Sequence, residues 1–253
     1  MVGMALATGV LRREAQKLGM EPRVALDMVM FALPATLIGA RLFHVLFEEP
    51  AYYAQHPLDA LSPSAGWVFY GGLAGGALAT YSYARNRGLD AWTLADIYSP
   101  AIAFGLVFGR LGCLGGGCCY GRPASWPFGW EVPWSVVYFE HGQLPEAMLA
   151  VPLHPTPLYE AAFCLTLFVV LSRISERRRF TGQIVLTLFA SYGILRAGVE
   201  LFRADVERGL WAGVSTSQVI GLVTAAFALW LWRRRACTPS CSTLGIPPSI
   251  PME

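Results

Sequence analysis

The sequence predicts an all-α fold: a polytopic membrane helix bundle of six full spans, with a truncated helix at the N-terminus and a small external cap. Three observations predict this class, namely an apolar composition, apolar runs of membrane-spanning length, and basic residues that alternate between successive loops. Hydrophobic residues make up 55% of the 253 residues and charged residues only 14%, and the mean hydropathy is +0.46. Soluble domains contain about 25% charged residues, so this composition is typical of a membrane protein.

Six apolar runs approach the length of about 20 residues that crosses a bilayer. They are residues 24–47, 66–84, 93–112, 156–173, 181–201 and 214–232. The first eleven residues are also apolar but give way to Arg12 and Arg13. They lack the basic start and the cleavage site of a signal peptide. We therefore interpret them as the inner half of a seventh, truncated helix, and the alternative is an interfacial stub.

These runs divide the chain into four regions. Residues 1–112 form the N-terminal transmembrane helices, and residues 156–235 form the C-terminal ones. Between them, residues 113–155 are interpreted as an external loop or cap. Residues 236–253, which are rich in Pro and Ser, are predicted to be a disordered tail.

Basic residues predict the orientation of the spans. One alternate set of loops contains nearly all of them: Arg12, Arg13, Lys17, Arg23, Arg85, Arg87, Arg173, Arg177, Arg178, Arg179, Arg233, Arg234 and Arg235. The opposite set contains only Arg122, Arg203 and Arg208. Because loops rich in Lys and Arg stay in the cytoplasm, the C-terminus is predicted to be cytoplasmic and residues 113–155 external.

This topology predicts that polar side chains converge at the outer ends of the spans. Tyr192, Arg196, Glu200 and Arg203 follow one another at helical spacing along one face. Arg41, Arg110, Tyr159 and Glu160 lie at the outer ends of other spans, and we expect no charge in the inner halves. Ionisable residues within spans mark functional sites. The structural alternative is an Arg196–Glu200 ion pair with arginines that reach to the headgroups.

The segment from Gly109 to Pro123 combines a charge at the end of an apolar run with several glycines. Arg110 supplies a guanidinium group, which binds phosphate in a bidentate manner. Glycines allow backbone N–H groups to approach a ligand closely. The segment therefore predicts a site for a lipid phosphate at the membrane surface, whereas the alternative is an ordinary loop beside a snorkelling arginine.

The six cysteines do not predict a disulfide framework. Cys113, Cys118 and Cys119 fall at the predicted outer face, but Cys-x4-Cys-Cys lacks the paired spacing of zinc ligands. We therefore expect no metal and no cofactor. An outer-face thiol redox protein is a weaker hypothesis, because the chain has no Cys-x-x-Cys. The net charge of +2, without a basic stripe, argues against nucleic acid as a partner.

Several segments resemble the prolipoprotein diacylglyceryl transferase family. Its glycine–arginine signature is similar to Gly109–Gly112 and Gly117–Arg122, and its His-Pro-x-x-Leu-Tyr-Glu element matches His154–Glu160. Its Tyr-Gly-x-x-Arg-x-x-x-Glu-x-x-Arg helix matches Tyr192–Arg203, and Gly39-Ala40-Arg41 fits a further element. The resemblance covers residues 1–235 with its spacing preserved.

The chain departs from the family pattern at three positions. Cys113 stands at the signature asparagine, Cys118 at the signature glutamate, and Tyr70 at the histidine of the His-Gly-Gly element. We expect Cys113 and Cys118 to be structural replacements that fill space without reacting. The replaced histidine removes one candidate base.

The resemblance implies an activity and the residues that support it. The activity is transfer of a diacylglyceryl group from phosphatidylglycerol to the lipobox cysteine of prolipoprotein signal peptides, at the outer leaflet of the bacterial inner membrane. A non-catalytic or redirected paralogue that binds anionic phospholipid is the alternative. The candidate catalytic residues are Arg110, Arg196, Tyr70, Tyr192, Glu200 and His154. The candidate substrate-binding residues are Arg41, Gly71, Gly72, Gly112, Cys113, Gly117, Gly121, Arg122, Tyr159, Glu160 and Arg203.

Overall fold

The computed structural model is almost entirely helical in the part of the chain that it describes, which is residues 2–62, 66, 68–124, 133–139, 144–204, 210–211 and 214–237. Eight α-helices occur there: α1 (Val2–Lys17), α2 (Pro22–Phe43), α3 (Pro50–Gln55), α4 (Phe69–Asn86), α5 (Ala91–Gly115), α6 (Thr156–Ser175), α7 (Gln183–Val199) and α8 (Thr216–Cys237). A π-helical turn, His44–Glu48, continues α2, and a 3-10 turn, Glu200–Phe202, continues α7. Two short strands, β1 (Leu210–Trp211) and β2 (Val214–Ser215), pair antiparallel.

Each of the six predicted spans coincides with a helix. Four of these helices are long and apolar enough to cross a membrane: Pro22–Glu48, Ala91–Gly115, Thr156–Ser175 and Gln183–Phe202. The all-helical membrane class is therefore confirmed at this level, whereas the count of six spans and the external cap stay predictions. The predicted tail lies outside the described residues from position 238 onward.

The chain consists of two compact units, of which the first comprises Leu11–Ile97. Helices α2 and α4 pack closely in this unit because glycines face each other. A Cβ atom on Gly71 would lie 2.3 Å from the backbone oxygen of Gly39, a distance that side chains do not tolerate. Small residues of this kind allow two apolar helices to approach and gain van der Waals contact.

The second unit comprises Met1–Val10 and Tyr98–Glu253. Helix α7 packs against both α6 and α8 in this unit. The buried faces of α6 and α7 contain Cys164, Leu167, Ile184 and Leu188. This packing brings the polar N-terminal end of α6 next to the polar C-terminal end of α7.

The segment predicted to be a cap begins three residues later than expected, because α5 continues to Gly115. Gly112 and Cys113 are therefore helical. After Gly117, whose φ angle is +65°, the chain reverses. Isolated bridges join Gly121 to Arg203 and Pro123 to Leu153, so the described parts of this segment are attached to the ends of α6 and α7.

One expectation about charge is wrong. Asp27 and Asp96 lie in the second turns of α2 and α5, in the halves predicted to be inner, and Asp96 is completely buried. The spans therefore carry charge at both ends. Convergence at one end alone therefore does not identify the site.

Candidate active site

Glu160 is the centre of a buried cluster of ionic side chains. It lies in the second turn of α6, and its side chain is 1% exposed. Its Oε2 atom lies 2.8 Å from Nη2 of Arg110. Its Oε1 atom lies 3.6 Å from Nη1 of Arg203 and 4.0 Å from Nη1 of Arg196. One carboxylate from α6 therefore gathers arginines from the end of α5 and from both sides of the end of α7.

Arg110 makes two further contacts that define its position. Its Nη2 atom donates a hydrogen bond to the hydroxyl oxygen of Tyr192 at 3.0 Å. The Tyr192 hydroxyl in turn donates to Glu160 at 3.5 Å. On the other side, Nη1 of Arg110 lies 3.8 Å from the sulfur of Cys119. The guanidinium group is thus held between α6, α7 and the loop after α5.

The polar face of α7 is arranged largely as its spacing predicts. Arg196 pairs with Glu200 at 2.9 Å and donates to Ser217 at the start of α8 at 3.4 Å. The α-helix ends at Val199, so Glu200 begins a 3-10 turn and Arg203 is extended. The Arg196–Glu200 pair that the structural alternative proposed is present, but Glu160 joins it to two other arginines.

Arginine side chains outnumber carboxylates in the described part of the cluster. The guanidinium groups of Arg110, Arg196 and Arg203 lie there around the carboxylates of Glu160 and Glu200. Arg203 is 3% exposed, whereas Arg110 and Arg196 are 17% and 13% exposed. Charged groups act strongly where water is excluded. Arg110 and Arg196 are therefore the more accessible of the three cations.

Residues of the predicted cap border the cluster. The Nε atom of Arg122 donates to the backbone oxygen of Arg203 at 3.1 Å. The backbone N–H of Gly121 donates to the backbone oxygen of His154 at 3.1 Å.

His154 also forms a side-chain contact with Tyr159. The Tyr159 hydroxyl lies 3.1 Å from Nδ1 of His154 and accepts a hydrogen bond from Trp134 at 2.9 Å. Burial lowers the pKa of His154 below its ordinary value, so its imidazole is neutral and able to accept a proton near pH 7.

Three cysteines meet at the end of α5. The sulfur atoms of Cys113, Cys118 and Cys119 all lie within 4.8 Å of one another, and each residue is partly exposed. Burial, followed by a hydrogen bond to the Cys113 backbone, raises the pKa of Cys118 to about 12. Cys118 is therefore a protonated thiol and not a free thiolate at neutral pH.

Other predicted site residues have structural contacts. All three guanidinium nitrogens of Arg41 donate to backbone oxygens, those of Asp59, Ala60 and Gly66. Gly71 and its neighbour Gly72 lie in α4 at the interface with α2. These contacts explain the residues without a ligand, so their roles in substrate binding stay predictions.

The side chain of Tyr70 lies outside the described part of the chain. The structure also adds residues that the sequence reasoning did not assign to the site, namely Cys119, Ser217 and Trp134. Cys119 contacts Arg110, Ser217 contacts Arg196, and Trp134 contacts Tyr159. A lone Ser at a helix start and a Trp in a loop carry no signal of their own, whereas Cys119 directly follows a signature position.

Apolar helices of spanning length with a buried cluster of arginine and glutamate side chains define a membrane protein with an internal polar site. The sequence comparisons narrow this class. The sequence model of the prolipoprotein diacylglyceryl transferase family matches residues 1–234, and the chain belongs to that family.

Individual relatives share this assignment. The phosphatidylglycerol–prolipoprotein diacylglyceryl transferase of Methylibium petroleiphilum is 38% identical over 215 residues, which cover 83% of this chain and 78% of the relative. Those of Rhodospirillum centenum and Geobacter sulfurreducens are 36% and 35% identical. Their matches cover 84% of this chain in both cases, and 76% and 78% of the respective relatives.

Proposed function

We propose that this protein transfers a diacylglyceryl group from phosphatidylglycerol to the cysteine thiol of a prolipoprotein. The observation that carries the proposal is the buried cluster in which Arg110, Arg196 and Arg203 share the carboxylate of Glu160. Guanidinium groups bind the phosphate of an anionic phospholipid through charge-assisted hydrogen bonds. The named relatives act on the same two substrates.

The reaction is a substitution at carbon. The sulfur of the prolipoprotein cysteine forms a bond to the glyceryl carbon of the lipid, and the bond from that carbon to the phosphate oxygen breaks. The electron pair leaves with glycerol phosphate, and the thiol proton is released. Negative charge builds on the departing phosphate, where positioned cations stabilise it most.

Arg110 and Arg196 are the residues proposed to hold that phosphate. Each is partly exposed and is oriented by a carboxylate, Arg110 by Glu160 and Arg196 by Glu200. A guanidinium group can bind a phosphate through two parallel hydrogen bonds, whereas the ammonium group of lysine acts only as a point charge. Arg203 is enclosed more completely, so its proposed role is to neutralise Glu160.

The thiol must lose its proton to become a nucleophile. Tyr192 and His154 remain candidate bases within the described contacts. The Tyr192 hydroxyl accepts a hydrogen bond from Arg110, and His154, whose pKa is lowered by burial, has a neutral imidazole. Tyr70 stays a candidate on the sequence alone.

The finer topology is part of the proposal. The proposed arrangement has six spans in a bacterial inner membrane, with a cytoplasmic C-terminus and an external segment 113–155. In this arrangement the arginine cluster lies at the outer leaflet. The alternation of basic residues supports this arrangement. It gives the cluster access to a lipid headgroup and to a signal peptide that emerges on the outer side.

A transfer assay with the purified protein tests the proposed function. Phosphatidylglycerol and a peptide with a lipobox cysteine should yield a diacylglyceryl thioether peptide and glycerol phosphate, measured by mass spectrometry. Arg196→Ala should abolish the product, whereas Arg85→Ala, at an exposed residue, should not. Binding of phosphatidylglycerol without either product would overturn the proposal, as would failure to complement a transferase-depleted bacterium with this chain and with one extended upstream.

A further inference from the structure

The three cysteines at the end of α5 are more than neighbours in sequence. Helix α5 supplies Cys113, and the chain then reverses so that the N–H of Cys118 donates to the Cys113 oxygen at 3.1 Å. Cys119 has a positive φ angle of 59°, and its backbone oxygen accepts a hydrogen bond from Thr156 at the start of α6. The backbone thus holds three thiols together before any ligand binds.

We propose that Cys113, Cys118 and Cys119 bind one divalent, thiophilic metal ion of the zinc class. Their sulfur atoms lie within 4.8 Å of one another. Three thiolates about 2.3 Å from a tetrahedral zinc lie roughly 3.8 Å apart, so a contraction of about 1 Å or less completes the site. Thiolate ligands select zinc-class and other soft ions over magnesium and calcium.

The electrostatic surroundings favour this complex. Three thiolates and a divalent cation carry one net negative charge, and Nη1 of Arg110 lies 3.8 Å from the Cys119 sulfur. Carbonyl groups at the C-terminal end of α5 favour the cation itself. A metal ion also lowers the pKa of a coordinated thiol enough to deprotonate it.

Three protein ligands leave a fourth tetrahedral position open, which is typical of catalytic zinc sites. We assign that position to the cysteine thiol of the substrate peptide, and this assignment rests on the proposed function. The bound thiol releases its proton to solvent, and the thiolate attacks the glyceryl carbon while glycerol phosphate leaves with the electron pair. The metal keeps its charge throughout. Because Arg110 borders both the thiols and the phosphate cluster, the nucleophile and the leaving group would be held side by side.

Cobalt(II) is the probe for the metal site itself. The purified, reduced full-length protein should bind one Co²⁺ per chain and show thiolate-to-cobalt charge-transfer absorption. Cys237→Ser, at an exposed cysteine outside the cluster, should behave like the wild type. Cys113→Ser, Cys118→Ser and Cys119→Ser should each weaken binding by at least about 100-fold, since loss of outer-shell partners alone costs 10- to 100-fold. Equal binding by the wild type and all three variants would overturn the proposal, as would a disulfide between two of these thiols in protein purified without reductant.

A second measurement tests the open position. A lipobox peptide with cysteine should change the cobalt spectrum, whereas the same peptide with serine should not. An unchanged spectrum with bound cysteine peptide would overturn the assignment of the fourth position.

Transfer by metal-free protein separates this inference from the proposed function. Zinc removal should lower transfer at least tenfold, and added Zn²⁺ should restore it. Full transfer without metal would overturn the catalytic role while the proposed function stands. If no form of the protein transfers lipid, the proposed function fails, and the cobalt measurements still decide the metal site because they require no turnover.

Discussion

At the scale of single residues, the contacts of the Glu160 carboxylate with three guanidinium groups organise the site. The carboxylate is almost completely buried, and removing one member of a buried ion pair leaves its partners uncompensated. Glu160 therefore does two things: it reduces repulsion among the arginines, and it orients Arg110 toward Tyr192. Both effects can be measured separately, as stability and as transfer.

We expect Glu160→Gln to destabilise the protein by about 3–5 kcal/mol, because three buried cations lose their shared anion. Transfer should fall about 100-fold in the folded fraction, because displacing a catalytic group by about 1 Å lowers the reaction rate by about that factor. Thermal unfolding in detergent and the peptide transfer assay measure the two effects. Glu48→Gln is the control: that carboxylate is 53% exposed and pairs with His44, so its loss should cost no more than about 1 kcal/mol. Equal effects of the two substitutions would contradict the central role of Glu160.

Arg110→Lys tests whether the guanidinium fork matters or only its charge. Lysine keeps the positive charge but cannot make two parallel hydrogen bonds to a phosphate. Transfer should therefore fall by about 100-fold or more, close to the effect of losing one donor to a developing anion. Arg85→Lys, at an exposed position of α4, should leave transfer unchanged. Full activity of Arg110→Lys would show that Arg110 contributes charge alone.

At the scale of helices, close approach between helices determines which glycines are essential. Gly193 on α7 faces Gly221 on α8, and a Cβ atom on Gly193 would lie 2.4 Å from the Gly221 oxygen. Gly198 lies on the same helix, is exposed, and has open space around it. The same amino acid therefore has two different physical roles within one helix.

Gly193→Ala should destabilise the protein by about 1–3 kcal/mol, because added volume in a tight interface forces the backbones apart. Gly198→Ala should be neutral or stabilise the helix by about 0.5–1 kcal/mol, because Ala lowers the conformational entropy of the unfolded chain. Thermal unfolding of both variants under identical detergent conditions checks the difference. If Gly193→Ala unfolds at the same temperature as the wild type, the α7–α8 interface is looser than the structure describes.

The helices could be predicted from the sequence more completely than the site could. Apolar runs of spanning length are a local property, so each predicted run coincides with a helix. The predicted run 93–112 ends three residues before α5 does, because the apolar pattern stops at the glycine-rich segment while the helix continues to Gly115. The contact of Glu160 with three arginines depends on how α5, α6 and α7 pack, and no local pattern encodes it. Asp96 is a second example. Its charge can be read from the sequence, but its complete burial depends on packing and cannot.

At the scale of the whole molecule, the distribution of charge predicts how the chain lies in a membrane. The two compact units each contain helices of spanning length, α2 in one and α6 and α7 in the other. Basic residues accumulate in alternate loops, and the arginine cluster lies at the ends of α6 and α7 opposite to the basic residues 173–179. The proposed reaction requires that the cluster and the segment 113–155 share the outer side.

Reporter insertions test this topology. A reporter fused after Arg235 should be cytoplasmic, and one inserted at Glu146, an exposed residue of the predicted cap, should be external. The physical reason is that arginine-rich loops resist translocation, whereas loops poor in Arg and Lys cross readily. Alkaline phosphatase, which requires the oxidising outer side, and a fluorescent protein that requires the cytoplasm report the two locations. A third fusion after Arg87 should also be cytoplasmic and controls for effects of the chain end. If the reporters after Arg235 and at Glu146 fall on the same side, an odd number of spans does not separate them. The cluster would then not face the leaflet from which a prolipoprotein signal peptide is presented.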